Sequence, residues 1–302
     1  MAHAIATASF SGAAPASSLP HRRNTAGFFF KQRPPVECSG PDLLAAAKLT
    51  VDKYVRSGMV VGLGSGRASG LAIQYLGHRL RDGSLKDVVG VPTSVSSASK
   101  AAMAGIPLDN YQENLQIDFV FDDADLIDKR TLTAVIGRRK LDGGESIIQE
   151  KSIIKRASGL AYIVTDNQYT GELGGSIPVL ITSGNWLETA EQIDDLFLGD
   201  AELCKISYSW FVAKVWRRSP SGGAGPLGGD FPLVTKEGHH VLDVIFTSPI
   251  LDLGQVAESL DQVDGVVDHG IICGIPCTVI IASKEGLEVV DNMSKNQTTD
   301  SL

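Results

Sequence analysis

The chain has 302 residues, of which 43% are hydrophobic and 21% are charged, and this composition is ordinary for a globular protein. Its formal net charge of -8 disfavours nucleic acid as a main partner, because phosphate backbones are bound by clustered Lys and Arg. No apolar run reaches the ~18 residues that indicate a membrane span. We therefore expect neither nucleic acid nor a membrane as partner, and the length suggests roughly two domains.

The 4 cysteines are too few and too scattered for a disulfide framework or a four-thiolate zinc site. A reducing compartment is the natural inference, and we expect no structural metal. The cysteines are Cys38, Cys204, Cys273 and Cys277.

Residues 1–36 contain no Asp or Glu, are rich in Ala and Ser, and include four basic residues. This composition is typical of an organelle transit peptide, and a tail without any address is the alternative. Cleavage near Glu37 would remove the four positive charges and change the net charge from -8 to about -12.

The first predicted elements are a helix, a strand and a glycine-rich turn. Asp42 is the expected N-cap of the helix, and Gly58 is expected to end it. The strand from Met59 runs into Gly64-Ser65-Gly66-Arg67-Ala68-Ser69, after which a second helix begins. A glycine turn at a helix N-terminus predicts an anion site, because free amides and the helix dipole converge there. The alternative is that the glycines only permit a tight turn.

The glycine spacing does not fit a nucleotide. It is not G-x-G-x-x-G, and no acidic residue ends the next strand, Val88 to Val91, to hold a ribose. No Lys follows the glycines as in a Walker loop. We therefore expect a small phosphate rather than a dinucleotide cofactor.

Hydroxyl side chains follow the second strand. Thr93 and Ser94 come directly after it, and a short helix is predicted from Ser99 to Gly105. By position, these hydroxyls belong to a substrate loop or to a helix cap.

An acidic cluster follows the third predicted strand, Ile117 to Phe121, whose continuous apolar character is typical of a strand buried on both faces. Asp122 and Asp125 therefore lie where open α/β sheets bind small molecules. The alternative is that these aspartates cap a helix or stay solvated. A metal interpretation that includes Asp128 is weaker, because no His or Cys is near and the EF-hand spacing is missing.

The rest of the chain predicts two kinds of domain. A Rossmann-like α/β domain with a mostly parallel sheet is expected from residues 41–175 together with 271–292. Residues 176–270 alternate short strands with amphipathic helices, which predicts an inserted α+β lid of ferredoxin-like type. The polar tail, 293–302, is expected to be disordered.

Together these segments resemble the ribose-5-phosphate isomerase type A family, and most closely its chloroplast-type members. The resemblance covers residues 41–290. Its carriers are Val60-Val61-Gly62-Leu63-Gly64-Ser65-Gly66, Val91-Pro92-Thr93-Ser94, Ile117 to Asp125, Glu150-Lys151, Ala224 to Phe231, and Val263 to Gly270.

The resemblance implies an aldose-ketose isomerase that interconverts ribose 5-phosphate and ribulose 5-phosphate without metal or coenzyme, in the pentose phosphate and Calvin pathways of the chloroplast stroma. It implies that Glu150 is the proton-shuttling base and that Asp122 and Asp125 serve ring opening and hydroxyl positioning. It also implies a homo-oligomer. The residues implied to bind the sugar phosphate are Gly64, Ser65, Gly66, Arg67, Ala68, Ser69, Thr93, Ser94 and Lys140.

The chain departs from the family pattern at several positions. Asp123 replaces a Gly, and Arg67 and Ala68 replace hydroxyl residues of the phosphate loop. Residues 138–146 replace a Lys followed by a glycine-rich loop, and Lys140 is the candidate for that cation. Gln168 falls on another family Lys when no gap intervenes. These departures keep a second hypothesis open, a catalytically silent relative that binds sugar phosphates or regulates the active isomerase.

One further segment, Cys204 to Val215, interrupts a stretch that is continuous in the family. We interpret it as a retained intron or gene-model error, and a genuine surface loop is the alternative. Such a loop would carry Trp210 and Phe211, which need packing partners.

Overall fold

The computed structural model describes residues 40–109, 116–138, 147–198, 213–220, 224–225 and 231–291. The predicted transit peptide, the predicted tail, Lys140 and residues 204–212 of the interrupting segment lie outside these ranges. The helices of the described residues are α1 (Gly40–Tyr54), α2 (Arg67–Arg81), α3 (Val95–Ala104), α4 (Ile147–Arg156), α5 (Trp186–Leu198) and α6 (Leu253–Asp261).

The strands belong to three sheets. The first holds β1 (Val60–Leu63), β2 (Val89–Pro92), β3 (Phe119–Asp122), β6 (Leu160–Thr165), β14 (Thr278–Ser283) and β15 (Gly286–Asp291). The second holds β8 (Leu173–Ile181), β9 (Lys214–Arg218), β10 (Ala224–Gly225), β11 (His240–Ile250) and β12 (Val266–His269). The third holds β4 (Leu126–Asp128), β5 (Ala134–Val135), β7 (Tyr169–Thr170) and β13 (Ile271–Ile272).

The first sheet has the order β15-β14-β6-β3-β1-β2, and every pair in it is parallel except β14 with β15. All four residues of β3 are buried, as its continuous apolar run predicts. The side chains alternate between faces. Val61, Leu63 and Phe121 pack with α1, α2 and α3, whereas Val120 and Val164 pack with α4 and the smaller sheets. The predicted α/β class is confirmed.

The second sheet is antiparallel throughout, in the order β10-β9-β11-β8-β12. Two hydrophobic cores lie on the two faces of the first sheet. The apolar face of the second sheet forms a third core with α5 and α6, in which Ile193 and Leu260 are fully buried. A separate antiparallel sheet with helices agrees with the expected α+β part of the fold. The domain boundaries themselves stay predictions.

Three local predictions are corrected. Helix α1 begins at Gly40, so Asp42 lies in its first turn instead of capping it. Helix α3 begins at Val95, four residues before its predicted start, because Ser94 and Ser97 form a reciprocal cap. Only part of the stretch from Ile271 returns to the first sheet, since β13 pairs with β5 in the third sheet and β14 pairs with β6.

Part of the interrupting segment lies within the described residues. Ala213 is buried in the third core, and Lys214 and Val215 pair with Ile245 and Val244 in the second sheet. The interpretation of residues 204–215 as a retained intron or gene-model error stays a prediction. In the part of the chain that the structure describes, no helix is both long and apolar enough to cross a membrane.

Candidate active site

The turn between β1 and α2 runs directly against the end of β3. The Gly64 amide donates to the Phe121 carbonyl at 3.0 Å. A Cβ on Gly64 would lie 2.3 Å from Oδ1 of Asp122, a distance that no real side chain tolerates. Gly66 has a φ of 124°, which L side chains rarely adopt. The two glycines therefore fix a turn that touches the acidic cluster.

Asp122 ends β3 and is fully buried. Its Oδ1 accepts hydrogen bonds from the amides of Ser65 and Asp123, each at 2.8 Å. These two amides fix the orientation of the buried carboxylate. The structure thus joins the predicted acid to the predicted glycine turn.

Glu150 lies in the first turn of α4 and is 8% exposed. The Ser65 hydroxyl donates to its Oε1 at 3.1 Å. Its neighbour Gln149 donates from Nε2 to the Pro92 carbonyl at 3.0 Å, which ties α4 to the end of β2. Ser65 therefore contacts both Asp122 and Glu150, so these two predicted carboxylates share one site.

Asp125 lies between β3 and β4, and its Oδ2 accepts a hydrogen bond of 2.8 Å from the Arg138 amide. The Arg138 guanidinium donates to the carbonyls of Ser176 (2.6 Å) and Gly174 (2.8 Å) in β8. Burial lowers the pKa of Arg138, and the nearby Asp125 carboxylate opposes that shift. Lys140, the cation expected from residues 138–146, lies outside the described residues. Arg138, from the same segment, is a cation beside Asp125.

A buried ion pair anchors the helix that carries Glu150. Lys151 donates from Nζ to Asp268 and to the His269 carbonyl, the latter at 2.7 Å. Burial lowers the pKa of Lys151, while the Asp268 carboxylate raises it. Because Lys151 follows Glu150 directly, this contact with β12 sets the position of α4. Sequence reasoning missed the pair, since its members are 117 residues apart.

Tyr162 is a second residue that sequence reasoning missed. It is the register partner of Asp122 on the neighbouring parallel strand, and it is 1% exposed. Its hydroxyl has no hydrogen-bond partner among the described residues. Burial raises the pKa of Tyr162 well above its ordinary value, and the Asp122 and Glu150 carboxylates act in the same direction. The phenol is therefore a neutral, buried donor on the strand next to Asp122, and no local sequence pattern indicates it because the pairing depends on strand register.

Thr93 and Ser94 make structural contacts. The Thr93 hydroxyl donates to the Leu63 carbonyl at 3.1 Å, which joins the ends of β2 and β1. The Ser94 hydroxyl accepts the Ser97 amide at 3.0 Å and caps α3, as the helix-cap interpretation predicted. A substrate contact for either hydroxyl stays a prediction.

Gln168 also has a structural role. Its Nε2 donates to the Ala124 carbonyl at 2.5 Å, and its Oε1 accepts hydrogen bonds from the Thr165 amide (2.8 Å) and hydroxyl (2.9 Å). The side chain therefore holds the turn after β6 against the acidic segment. Its amide group therefore supports the backbone between Asp122 and Asp125, and its correspondence to a family Lys stays a prediction.

Asp123, at the end of β3, binds the N-terminus of α2. Its carboxylate accepts hydrogen bonds from the Ala68 amide (3.0 Å), the Ser69 amide (2.7 Å) and the Ser69 hydroxyl (2.6 Å). These are groups that the sequence assigned to the phosphate cradle. Among the residues that the structure describes, no cluster of three or more His, Cys, Asp or Glu is arranged to hold a metal ion.

The family model for ribose 5-phosphate isomerase A (phosphoriboisomerase A) matches residues 89–286. The chain belongs to the ribose 5-phosphate isomerase A family. Probable ribose-5-phosphate isomerase 1 of Arabidopsis thaliana is 32% identical over 79% of this chain and 84% of its own length. Probable ribose-5-phosphate isomerase 3, chloroplastic, of the same plant is 30% identical over 84% of this chain and 85% of its own length.

Solved structures of the family are similar in fold and in sequence. Ribose 5-phosphate isomerase A of Methanocaldococcus jannaschii has a TM-score of 0.66 and 26% identity, covering 84% of this chain and 100% of its own. A D-ribose-5-phosphate isomerase in complex with phospho-erythronic acid has a TM-score of 0.68 and 26% identity, covering 83% of this chain and 98% of its own. The isomerase fold therefore spans nearly the whole described part of this chain.

Proposed function

We propose that this chain is an isomerase that interconverts ribose 5-phosphate and ribulose 5-phosphate through an enediolate. The observation that carries the proposal is the double contact of Ser65, which brings Asp122 and Glu150 together at the glycine turn. Membership of the ribose 5-phosphate isomerase A family supports the substrate. A related structure is in complex with phospho-erythronic acid, which carries a phosphate group as ribose 5-phosphate does.

Glu150 is the proposed base. Its carboxylate takes the proton from C2 of the open-chain aldose, which yields the enediolate, and returns it to C1, while the proton of the C2 hydroxyl passes to the C1 oxygen and the ketose forms. At 8% exposure Glu150 is shielded from water, and the Ser65 hydroxyl donates to its carboxylate. That contact orients the carboxylate without neutralising it.

Asp122 and Asp125 are proposed to open the furanose ring and to position the sugar hydroxyls. Each is held by a backbone amide, Asp122 by Ser65 and Asp125 by Arg138, so the carboxylates are oriented before substrate binds. The developing negative charge on the enediolate needs donors. The Tyr162 phenol is a buried donor near Asp122, and Lys140 is the proposed cation of the loop.

The location and assembly are also proposals. Residues 1–36 are proposed to be a transit peptide that directs the chain to the chloroplast stroma, and the relative named chloroplastic supports this. The enzyme would then serve the Calvin cycle as well as the pentose phosphate pathway. We further propose a homo-oligomer, in which residues 176–270 form a lid domain on the domain of residues 41–175 and 271–292.

The test is to incubate the purified full chain with ribose 5-phosphate and to follow ribulose 5-phosphate by ¹³C NMR in both directions. We expect conversion to the same equilibrium mixture from either sugar. Binding of ribose 5-phosphate without any conversion would instead establish the silent relative. A folded protein that neither binds nor converts the sugar would reject both.

A further inference from the structure

An internal anion occupies the N-terminus of α2. The Asp123 carboxylate, 6% exposed, accepts three hydrogen bonds there, from the Ala68 amide, the Ser69 amide and the Ser69 hydroxyl. Ala68 and Ser69 are themselves buried, at 1% and 0% exposure. The sequence predicts an anion at this place, and the anion that the structure puts there is part of the protein.

The placement of Asp123 is fixed from both sides. Its amide donates to Oδ1 of Asp122 at 2.8 Å, which pins the backbone at the end of β3. Its carboxylate lies at the positive end of the α2 dipole, where negative charge is stabilised. The position of the Asp123 side chain is therefore fixed by the fold, unlike that of an exposed surface group.

Most amides of the turn are used inside the protein. The Gly64 amide bonds to Phe121, the Ser65 amide to Asp122, and the Gly70 amide to the Gly66 carbonyl at 3.2 Å. With Ala68 and Ser69 bonded to Asp123, few amides are left for a second anion. The exposed Arg67 and the Lys100 ammonium, which donates to the Gly66 carbonyl at 3.0 Å, are the cations at this turn.

A substrate phosphate at this turn meets a like charge that already holds two of the best donors. Like charges within a few ångströms repel strongly when both are shielded from water. The phosphate must then either displace Asp123 or bind through Arg67 and Lys100 beside it. Either route weakens the binding of a dianionic phosphate but leaves the binding of the neutral sugar hydroxyls unchanged.

We propose that Asp123 determines substrate specificity by competing with the substrate phosphate for the amides of Ala68 and Ser69. The chain therefore distinguishes less between phosphorylated and unphosphorylated pentoses than a relative with Gly at this position. This inference rests on the proposed function for the identity of the sugar, but the competition itself does not depend on turnover.

The experiment measures the dissociation constant of inorganic phosphate, ribose 5-phosphate and ribose by calorimetry on the full chain. Asp123→Asn removes the charge and keeps an oxygen to cap α2, and Asp123→Gly removes the cap as well. Both variants should bind inorganic phosphate and ribose 5-phosphate on the order of tenfold more tightly than the parent. Ribose binding should stay the same.

Asp252→Asn is the matched control. Asp252 is also a carboxylate that accepts amides at a helix N-terminus, but it is the N-cap residue of α6, with Oδ1 accepting the amides of Gly254 (2.7 Å) and Gln255 (3.3 Å). It removes one negative charge and should leave all three dissociation constants unchanged. An equal gain with this control would show a general charge effect and overturn the proposal.

Unchanged phosphate affinity in a folded Asp123→Asn protein would overturn the proposal even if ribose 5-phosphate is isomerised. Tighter phosphate binding without any turnover in parent or variants would support it while rejecting the proposed function. Tighter binding together with a lower KM for ribose 5-phosphate would support both.

Discussion

The hydroxyl of Ser65 donates to Oε1 of Glu150 at 3.1 Å, across 85 residues of sequence. The same residue donates its amide to Asp122 at 2.8 Å. A single turn residue therefore orients two carboxylates that come from a strand end and from a helix. The position of this turn is what the proposed chemistry depends on most.

Replacing Ser65 with Ala should lower kcat for ribose 5-phosphate by about 10- to 100-fold, because the proposed base loses the donor that orients it. The fold should persist, since the amide that bonds to Asp122 remains. Steady-state kinetics with circular dichroism measures both effects. Ser57→Ala is the control, because the Ser57 hydroxyl accepts the Lys86 amide at an exposed site. Equal rates for Ser65→Ala and the parent would contradict the proposed orientation.

Gly64→Ala should destabilise the protein by about 3 kcal/mol and reduce activity, since the new Cβ meets Asp122 Oδ1 at 2.3 Å and the Phe121 carbonyl at 2.4 Å. Backbone atoms cannot move aside as a flexible side chain can. Urea unfolding gives the change in the free energy of unfolding. Gly171→Ala, which has nothing within 4 Å, should change it by less than about 1 kcal/mol. A stable Gly64→Ala protein would show that the close approach is wrong.

Lys151→Met should cost about 3–5 kcal/mol of stability, because it leaves Asp268 without its buried partner. It should also lower kcat, since Lys151 anchors the helix turn that carries Glu150. Lys155→Met, an exposed position on the same helix, is the matched control. If the two variants unfold at the same urea concentration, the Lys151 ion pair does not anchor α4.

The pH dependence of stability should contain a contribution from His269. Burial and then the Lys151 charge lower the pKa of His269 to about 4, although Asp261 and Asp268 oppose the shift and Lys155 adds to it. The unfolded chain therefore binds more protons than the folded chain between the unfolded pKa of 6.5 and about pH 4. Stability is fully present above that window and is lost as the pH falls through it, by up to about 3 kcal/mol.

His269→Gln removes this titration, so the variant's free energy of unfolding should fall less than the parent's from pH 7 to pH 4. Urea unfolding at several pH values measures the difference. The Ile271 amide donates to His269 Nδ1 at 3.1 Å, and the Gln oxygen can replace that acceptor. Parallel curves for parent and variant would mean that His269 does not stay neutral in the fold.

The sequence predicts the first sheet well because buried parallel strands have a continuous apolar pattern, as in β3. The glycine turn between β1 and α2 can also be predicted from local sequence, since Gly64 and Gly66 directly follow the strand. The predicted start of α3 was wrong because the capping box of this helix has Ser97 at the position where Glu or Gln is usual. A serine pair does not distinguish a cap from a loop.

The contacts that complete the site could not be predicted from local pattern. Asp123 reaches Ser69 across 54 residues, and Lys151 reaches Asp268 across 117. Such pairs depend on which strands are neighbours and in what register. Glu150 lies in an ordinary helical segment, so only the resemblance to a family singled it out. The roles of Glu150, Asp122 and Asp125 stay predictions until they are measured.

The most direct measurement is the turnover of ribose 5-phosphate by the full chain and by Glu150→Gln, prepared and assayed side by side. We expect measurable turnover for the parent and a loss of at least about 10³-fold in kcat for the variant, with ribose 5-phosphate still bound. Turnover by the variant at the parent's rate would contradict the assignment of Glu150 as the base. A parent protein that binds ribose 5-phosphate without converting it would contradict the proposed isomerase activity.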